Sequence, residues 1–209
     1  PFRAIPEFAG TSLAGANIQR QQLLTPHPHF FEVGFSDSIG FSWYHSLQMR
    51  LEKRFQSGMT FGMTYTWSKF MEAIERLNTF DTYPTHVISP QDRPHHVSFT
   101  GIYELPFGRR RTFLANANKV VDGFLGGWSI QGIYQYQTGA PINWGNVLHI
   151  GDIKDIPLSS SERSVERWIN TADFNKVPAE QLLWNVRTFP LRLNGVRQDG
   201  FNQWDLSVF

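Results

Sequence analysis

From Phe41 onward, hydrophobic and polar residues alternate with the two-residue period of strands that have one apolar face. Between Phe41 and Phe55 one file reads Phe41, Trp43, His45, Leu47, Met49, Leu51, Lys53 and Phe55. The other reads Ser42, Tyr44, Ser46, Gln48, Arg50, Glu52 and Arg54. After Gln56-Ser57-Gly58, a polar link with glycine where a hairpin needs positive φ, the pattern resumes. Met59, Phe61, Met63, Tyr65 and Trp67 now oppose Thr60, Gly62, Thr64, Thr66 and Ser68, which predicts a hairpin over 41–69. A third strand is expected from His96 to Phe107, with Val97, Phe99, Tyr103 and Leu105 in the apolar file and only Ile102 out of phase. A fourth is expected from Trp128 to Thr138, where Trp128, Ile130, Tyr134 and Tyr136 oppose Gln131 and Gln135, with Ile133 the exception. A fifth, over 201–209, alternates Trp204, Leu206 and Val208 with Gln203, Asp205 and Ser207. Phe209 is in phase with the polar file, so the strand is expected to be truncated there.

The connections alternate in length, and in an up-and-down sheet every second connection lies on the same side. Residues 56–58 and the medium link Gly108–Gly127 fall on one side; residues 1–40, 70–95 and 139–200 fall on the other. Structureless connections beyond about 12–15 residues are uncommon in compact soluble domains, but outer-membrane barrels combine short periplasmic turns with long extracellular loops. The expected fold is therefore all-β: antiparallel up-and-down strands forming part of a large transmembrane β-barrel with long extracellular loops. Residues 1–209 read as one partial-barrel segment. Its parts are outer loops at 1–40, 70–95 and 139–200, a hairpin at 41–69, two strands with a periplasmic connection at 96–138, and the truncated strand at 201–209. Ser159-Ser160-Ser161-Glu162, ahead of Val165 and Trp168, has the form of a capping box and predicts a short surface helix.

A soluble sandwich also alternates, so length and aromatic placement decide. The first four strands run about 11–15 residues, against a usual mode of about 5–6 and the roughly 9–11 that cross a bilayer. Aromatics sit near both ends of the apolar files, and Trp43 to Phe55 rises roughly 30 Å on a tilted strand, near the ~25 Å apolar band of such barrels. Leu47, Met49, Leu51, Met63, Tyr65, Trp67, Phe99, Tyr103, Trp128, Ile130 and Tyr134 are expected to face lipid. Gln48, Arg50, Glu52, Thr64, Gln131 and Gln135 are expected to face a wet lumen. A sheet in lipid must close, and five strands fall short of the roughly eight in the smallest membrane barrels. Either a longer chain or several copies must supply the rest.

Composition narrows the chemistry. Lys plus Arg number 19 against 18 Asp plus Glu, a net charge of +1, so nothing favours a polyanionic partner such as nucleic acid. The absence of cysteine excludes thiol catalysis, disulfides and Cys-ligated metals, and no apolar run exceeds three residues, so no transmembrane helix is expected. The opening Pro1-Phe2-Arg3 is no signal peptide, and the chain is expected to be processed or cut from something longer. His27 and His29 flank Pro28, His95 and His96 are adjacent, and His86 lies on the same expected side. They invite a metal or haem, but adjacent residues on an extended chain point apart, which favours loop and interface roles. Arg109-Arg110-Arg111 invites a lipid-phosphate or nucleic-acid reading, against which a solvated periplasmic turn is preferred. Arg50 and Glu52 read as a wall ion pair rather than an acid/base dyad. With no nucleotide-binding glycine loop, zinc-protease helix or nucleophile elbow, neither enzyme activity nor a cofactor or metal is expected. The loop aromatics Phe80, Tyr83, Trp144 and Trp184 are all open as ligand contacts.

Several blocks carry a resemblance. Tyr44-His45-Ser46-Leu47-Gln48-Met49-Arg50-Leu51-Glu52-Lys53-Arg54-Phe55 and Tyr65-Thr66-Trp67-Ser68-Lys69 are joined by Asp92-Arg93-Pro94-His95, Tyr103-Glu104-Leu105-Pro106-Phe107-Gly108 and Gly126-Gly127-Trp128. Trp168-Ile169-Asn170-Thr171-Ala172-Asp173-Phe174 and Phe201-Asn202-Gln203-Trp204-Asp205-Leu206-Ser207 follow in order. Together they resemble the C-terminal barrel half of Oar-like TonB-dependent outer-membrane receptors, the carboxypeptidase-regulatory-like type abundant in Acidobacteria. The resemblance implies a bacterial outer-membrane location and a barrel of about 22 strands around a plug. It further implies uptake or export of an unidentified solute, energised through a TonB-type coupling protein that engages an N-terminal region. Implied partners are outer-membrane lipid, the rest of the parent barrel and its plug, the coupling protein and the solute. A barrel-anchored adhesion or matrix protein without transport is the alternative, and a soluble carbohydrate-binding β-sandwich the third reading.

Overall fold

The computed structural model describes residues 2–30, 34, 36–159, 161–181 and 186–209; the expectations placed on Pro1, Ser160 and Trp184 fall outside them. The architecture is all-β. The strands are β1 (Phe41–Gln56), β2 (Met59–Ala73), β3 (Val87–Ile88), β4 (His95–Glu104), β5 (Ser129–Gln137), β6 (Pro141–Asn143), β7 (Arg192–Arg197) and β8 (Phe201–Val208), with one α-helix, α1 (Lys119–Leu125), and five short 3-10 turns among the described residues. The long strands form an antiparallel sheet in the order β1-β2-β4-β5-β8, with β3 on the end of β2, while β6 and β7 pair separately.

The β1–β2 turn is built by Ser57 (φ 56°) and Gly58 (φ 77°), the two left-handed residues that a two-residue hairpin of right-handed twist requires. Glycine was the expected signal at this turn; Ser57 adopts the rarer conformation beside it. Across the sheet the register aligns Met63 with Phe99, Tyr134 and Trp204, and Thr64 with Ser98, Gln135 and Gln203. Directly paired residues share a face, so the expected files are continuous across these strands. Phe209 extends the ladder by exchanging backbone bonds with Ser129 at 2.8 and 3.1 Å.

Several boundaries differ from expectation. β2 runs to Ala73 rather than 69, because its far end pairs with Val87–Ile88. β4 stops at Glu104 rather than Phe107, where the chain turns so that Phe113 N–H donates to Pro106 O. Only half of the capping box forms: Ser159 N–H donates to Glu162 Oε2 at 3.2 Å, but the Glu162 N–H turns to the Ser159 carbonyl at 3.0 Å and the Ser159 hydroxyl donates to Glu162 Oε2 at 2.6 Å, and no helix follows. Ser164 and Arg167 instead exchange backbone bonds across a tight turn, which diverts the chain. The Ser159 hydroxyl and amide hold the Glu162 carboxyl below its ordinary range. A depressed carboxylate stabilises its turn above the ordinary pKa, and that contribution fades as pH falls through the lowered value. Carboxyl NMR titration should show Glu162 protonating at lower pH than a free glutamate and returning to ordinary behaviour in Ser159→Ala.

The chain divides into two compact units, one of residues 1–43, 71–91 and 141–197, the other of 44–70, 92–140 and 198–209. Among the described residues the first holds every buried hydrophobic one: Leu13, Ala73, Val87, Ile88, Ile156, Leu158, Phe189, Leu193 and Val196. Ile156, Phe189, Leu193 and Val196 form its core, with Trp144, Ile169 and Phe174 packed around them. Trp144 stacks on Phe174 at 5.7 Å and meets Phe189 edge-on at 5.4 Å, so this loop aromatic is a packing residue. Arg187, its guanidinium pulled below its ordinary range by burial, donates to Trp144 O at 2.5 Å and Phe189 O at 2.9 Å. Asn78 and Arg187 exchange bonds at 2.7 and 3.1 Å. Much of the sequence expected as long outer loops therefore belongs to a folded, cored unit.

Candidate functional site

The second unit has no buried hydrophobic residue among those described, although its sheet is rich in them. In water this would be an unstable arrangement, since burying a Leu, Met or Phe side chain is worth about 1.5–3 kcal/mol. Leu47, Met49, Met63, Tyr103 and Trp128 are exposed, Leu51 at 57% and Trp204 at 59%. Gln48, Arg50, Glu52 and Thr64, on the opposite files of their strands, are exposed as well. A sandwich would bury one of these faces beneath a second sheet; among the described residues of this unit no hydrophobic side chain on either face is buried.

The register assembles the two faces row by row. Met59, Tyr103, Ile130 and Val208 form one row of the apolar face, then Phe61, Gly101, Gly132 and Leu206, then Met63, Phe99, Tyr134 and Trp204, then Tyr65, Val97, Tyr136 and Asn202. The glycine pair is a notch filled from its neighbours. The Phe99 ring leans over Gly101, coming 3.0 Å from where a Cβ would stand, and Leu206 lies 3.3 Å from that of Gly132. Tyr134 stacks on Trp204 at 4.4 Å. The other face carries Thr60, Gln131 and Ser207 around Ile102, and Thr64, Ser98, Gln135 and Gln203 in one row. The two breaks in alternation are neighbours: Ile102 pairs with Gln131 and Ile133 with Thr100, which sets the isoleucines diagonally adjacent on the polar face. No single-strand reading reveals that pairing.

On β1, alternation puts Leu47, Met49 and Leu51 on one side and Gln48, Arg50 and Glu52 on the other. Tyr44 meets Phe70 edge-on at 5.7 Å, which brings the polar files of β1 and β2 to one side at this end. Arg50 Nε donates to Glu52 Oε1 at 2.9 Å within that file, and both side chains remain open to solvent, so the pair is worth at most about 1 kcal/mol.

The histidines singled out from the sequence sit mostly against aromatic rings. The Tyr65 hydroxyl is 2.8 Å from His95 Nδ1 with the rings stacked, and His86 packs edge-on against Phe41 and Trp43. His27 and His29 lie 5.9 Å apart, ring to ring. Among the described residues no cluster of three or more His, Asp or Glu side chains could hold a metal ion. Among them, too, no helix is long and apolar enough to cross a membrane, which says nothing of strands. Tyr83 is exposed and Phe80 half-buried.

The surface that remains is the sheet itself, mainly apolar on one side and mainly polar on the other, with no buried hydrophobic residue among those described in its unit. A family model described as an outer membrane beta barrel domain matches residues 4–209. No curated protein and no solved structure matches the chain.

Proposed function

The chain belongs to the outer membrane beta barrel domain family and resides in the bacterial outer membrane, and from that premise we propose that it is a segment of a TonB-dependent, Oar-like receptor barrel moving an unidentified solute. The observation that carries the barrel reading is the uncovered sheet. Its Leu, Met and Trp file suits hydrocarbon and its Gln, Thr and Ser file suits a wet lumen. Leu47, Met49, Leu51, Met63, Tyr65, Trp67, Phe99, Tyr103, Trp128, Ile130 and Tyr134 are the proposed lipid contacts. Gln48, Arg50, Glu52, Thr64, Gln131 and Gln135 are the proposed lumen wall.

Among the described residues β1 and β8 have a sheet neighbour on one side only. Lipid tolerates no open edge, so further strands of a longer parent are proposed to complete the cylinder. Transport rests on the resemblance to receptor barrels, and its proposed partners are a plug, an energy-coupling protein and the solute. The test is the parent protein: in-cell cross-linking should capture it on a TonB-type coupling protein, and its sequence should contain a plug and a coupling box. A parent with neither, surface-exposed and never cross-linked, favours the second reading, a barrel that anchors a surface domain for adhesion or matrix assembly. The independently cored loop unit is the observation that supports that reading.

A further inference from the structure

The link between β4 and β5 was expected to be a solvated turn, yet it is built and greasy. Asp122 Oδ1 accepts the Arg109 N–H at 2.6 Å, Asn118 Oδ1 caps α1 through the amides of Val120 and Val121 at 3.1 and 2.9 Å, and Trp128 Nε1 donates to Phe124 O at 2.8 Å. On this frame Phe113, Leu114 and Leu125 are exposed, Val120 at 68% and Phe124 at 75%. An ordered patch of this kind on a protein surface marks an interaction site. It is also continuous with the sheet's apolar face, because Trp128, which holds Phe124, precedes Ile130 in the same file.

Cations flank the patch. Arg111 is engaged by Glu104 at 2.8 Å, and Asp122 accepts the Arg109 backbone amide rather than a cationic side chain. The side chains of Arg109, Arg110 and Lys119 have no partner among the described residues, and Arg110 is held in the left-handed region at φ 63° at the tip of the turn. Apolar side chains beside unsatisfied cations match a lipid interface, where rings sit at headgroup depth and guanidinium groups meet phosphate. We propose that residues 107–128 dock on the membrane surface and that Arg109, Arg110 and Lys119 bind the phosphates of anionic glycerophospholipids. The proposal rests on the reading of the apolar face as lipid-facing.

These 209 residues hold no cysteine, so a cysteine introduced here is a unique label once any cysteine elsewhere in the parent is replaced by serine. The parent barrel that contains this chain, reconstituted in phosphatidylcholine vesicles with or without phosphatidylglycerol, is labelled with an environment-sensitive fluorophore at Phe124→Cys and, separately, at Met49→Cys. Nitroxides at the headgroup should quench the Phe124 label, nitroxides deep in the chains the Met49 label, and aqueous iodide should quench neither. Nitroxide-bearing phosphatidylglycerol should quench at Phe124 several-fold more effectively than the phosphatidylcholine analogue. That ratio should fall towards one in Arg109→Gln/Arg110→Gln, since each basic residue near an anionic surface is worth about a fivefold enrichment. A Met49 label quenched in lipid with a Phe124 label open to iodide overturns the docking while leaving the barrel intact. Neither label quenched by lipid overturns both. An unchanged phosphatidylglycerol preference in the double variant overturns the phosphate contact.

Discussion

Glu72→Ala should destabilise the loop unit by about 3–5 kcal/mol, enough to leave it largely unfolded. Glu72 Oε1 takes Arg192 Nη2 at 2.7 Å, with both side chains almost completely buried. Arg192 also donates through Nε to Ile88 O at 2.6 Å and through Nη1 to Asn143 Oδ1 at 2.9 Å, so one guanidinium ties β2, β3, β6 and β7. Removing the carboxylate strands a charge that the surrounding carbonyls cannot neutralise. Urea unfolding followed by tryptophan fluorescence, with Trp144 in the core as reporter, gives the magnitude. Glu72→Gln, which keeps an acceptor, should lose less, and Glu72→Leu/Arg192→Met should recover much of the loss because an apolar pair replaces a buried ionic one. A Glu72→Ala chain within about 1 kcal/mol of the parent would show that the pair is structurally idle.

The second large effect is steric. A Cβ on Gly139 would stand 1.9 Å from Gln198 O and 2.6 Å from Asp199 O. Those are backbone atoms, so no rotamer change relieves the clash. Gly139 lies where the chain leaves β5, and Gln198 where it returns towards β8, whose Phe201 pairs with Gln137. Gly139→Ala should therefore cost on the order of 3 kcal/mol, the upper end of overpacking penalties, and loosen the β5–β8 pairing. Hydrogen exchange at β8 amides reads this directly. Gly123→Ala is the control of opposite sign: nothing lies within 4 Å of its Cβ, it sits inside α1, and helix propensity favours alanine by about 1 kcal/mol. Equal protection of β8 in the two variants would contradict the steric account.

These two sites also mark the boundary of what a single sequence shows. The long strands were legible because alternation over nine or more residues leaves few alternatives, and the register from Met63 to Trp204 joins the files read from the sequence. β7 was not legible: Arg192 and Leu193 are buried, Asn194 and Gly195 exposed, Val196 and Arg197 buried, a pattern with no two-residue period and with arginines inside. The loop-unit core draws Ile156, Phe189 and Val196 from distant, aperiodic stretches, and only their meeting in space defines it. α1 spans seven residues with a glycine inside, and its one local sign was Asn118 as a cap. At Ser159 the opposite happened: the Glu162 carboxylate took the Ser159 amide as a capping box would, but the Ser159 hydroxyl bonded that carboxylate instead of the Glu162 amide, and a Ser164–Arg167 turn stands where the helix was predicted.

The central claim is that one face of this sheet meets hydrocarbon and the other water. Spin labels placed one at a time at Leu47, Met49, Met63 and Ile130, and at Gln48, Arg50 and Gln131, test it in the lipid-reconstituted barrel through relaxation by oxygen and by a water-soluble nickel chelate. The first set should be relaxed by oxygen and shielded from nickel, the second the reverse, switching at every residue from Leu47 to Arg50. Nickel reaching both sets equally, or the two sets exchanged, would contradict the account.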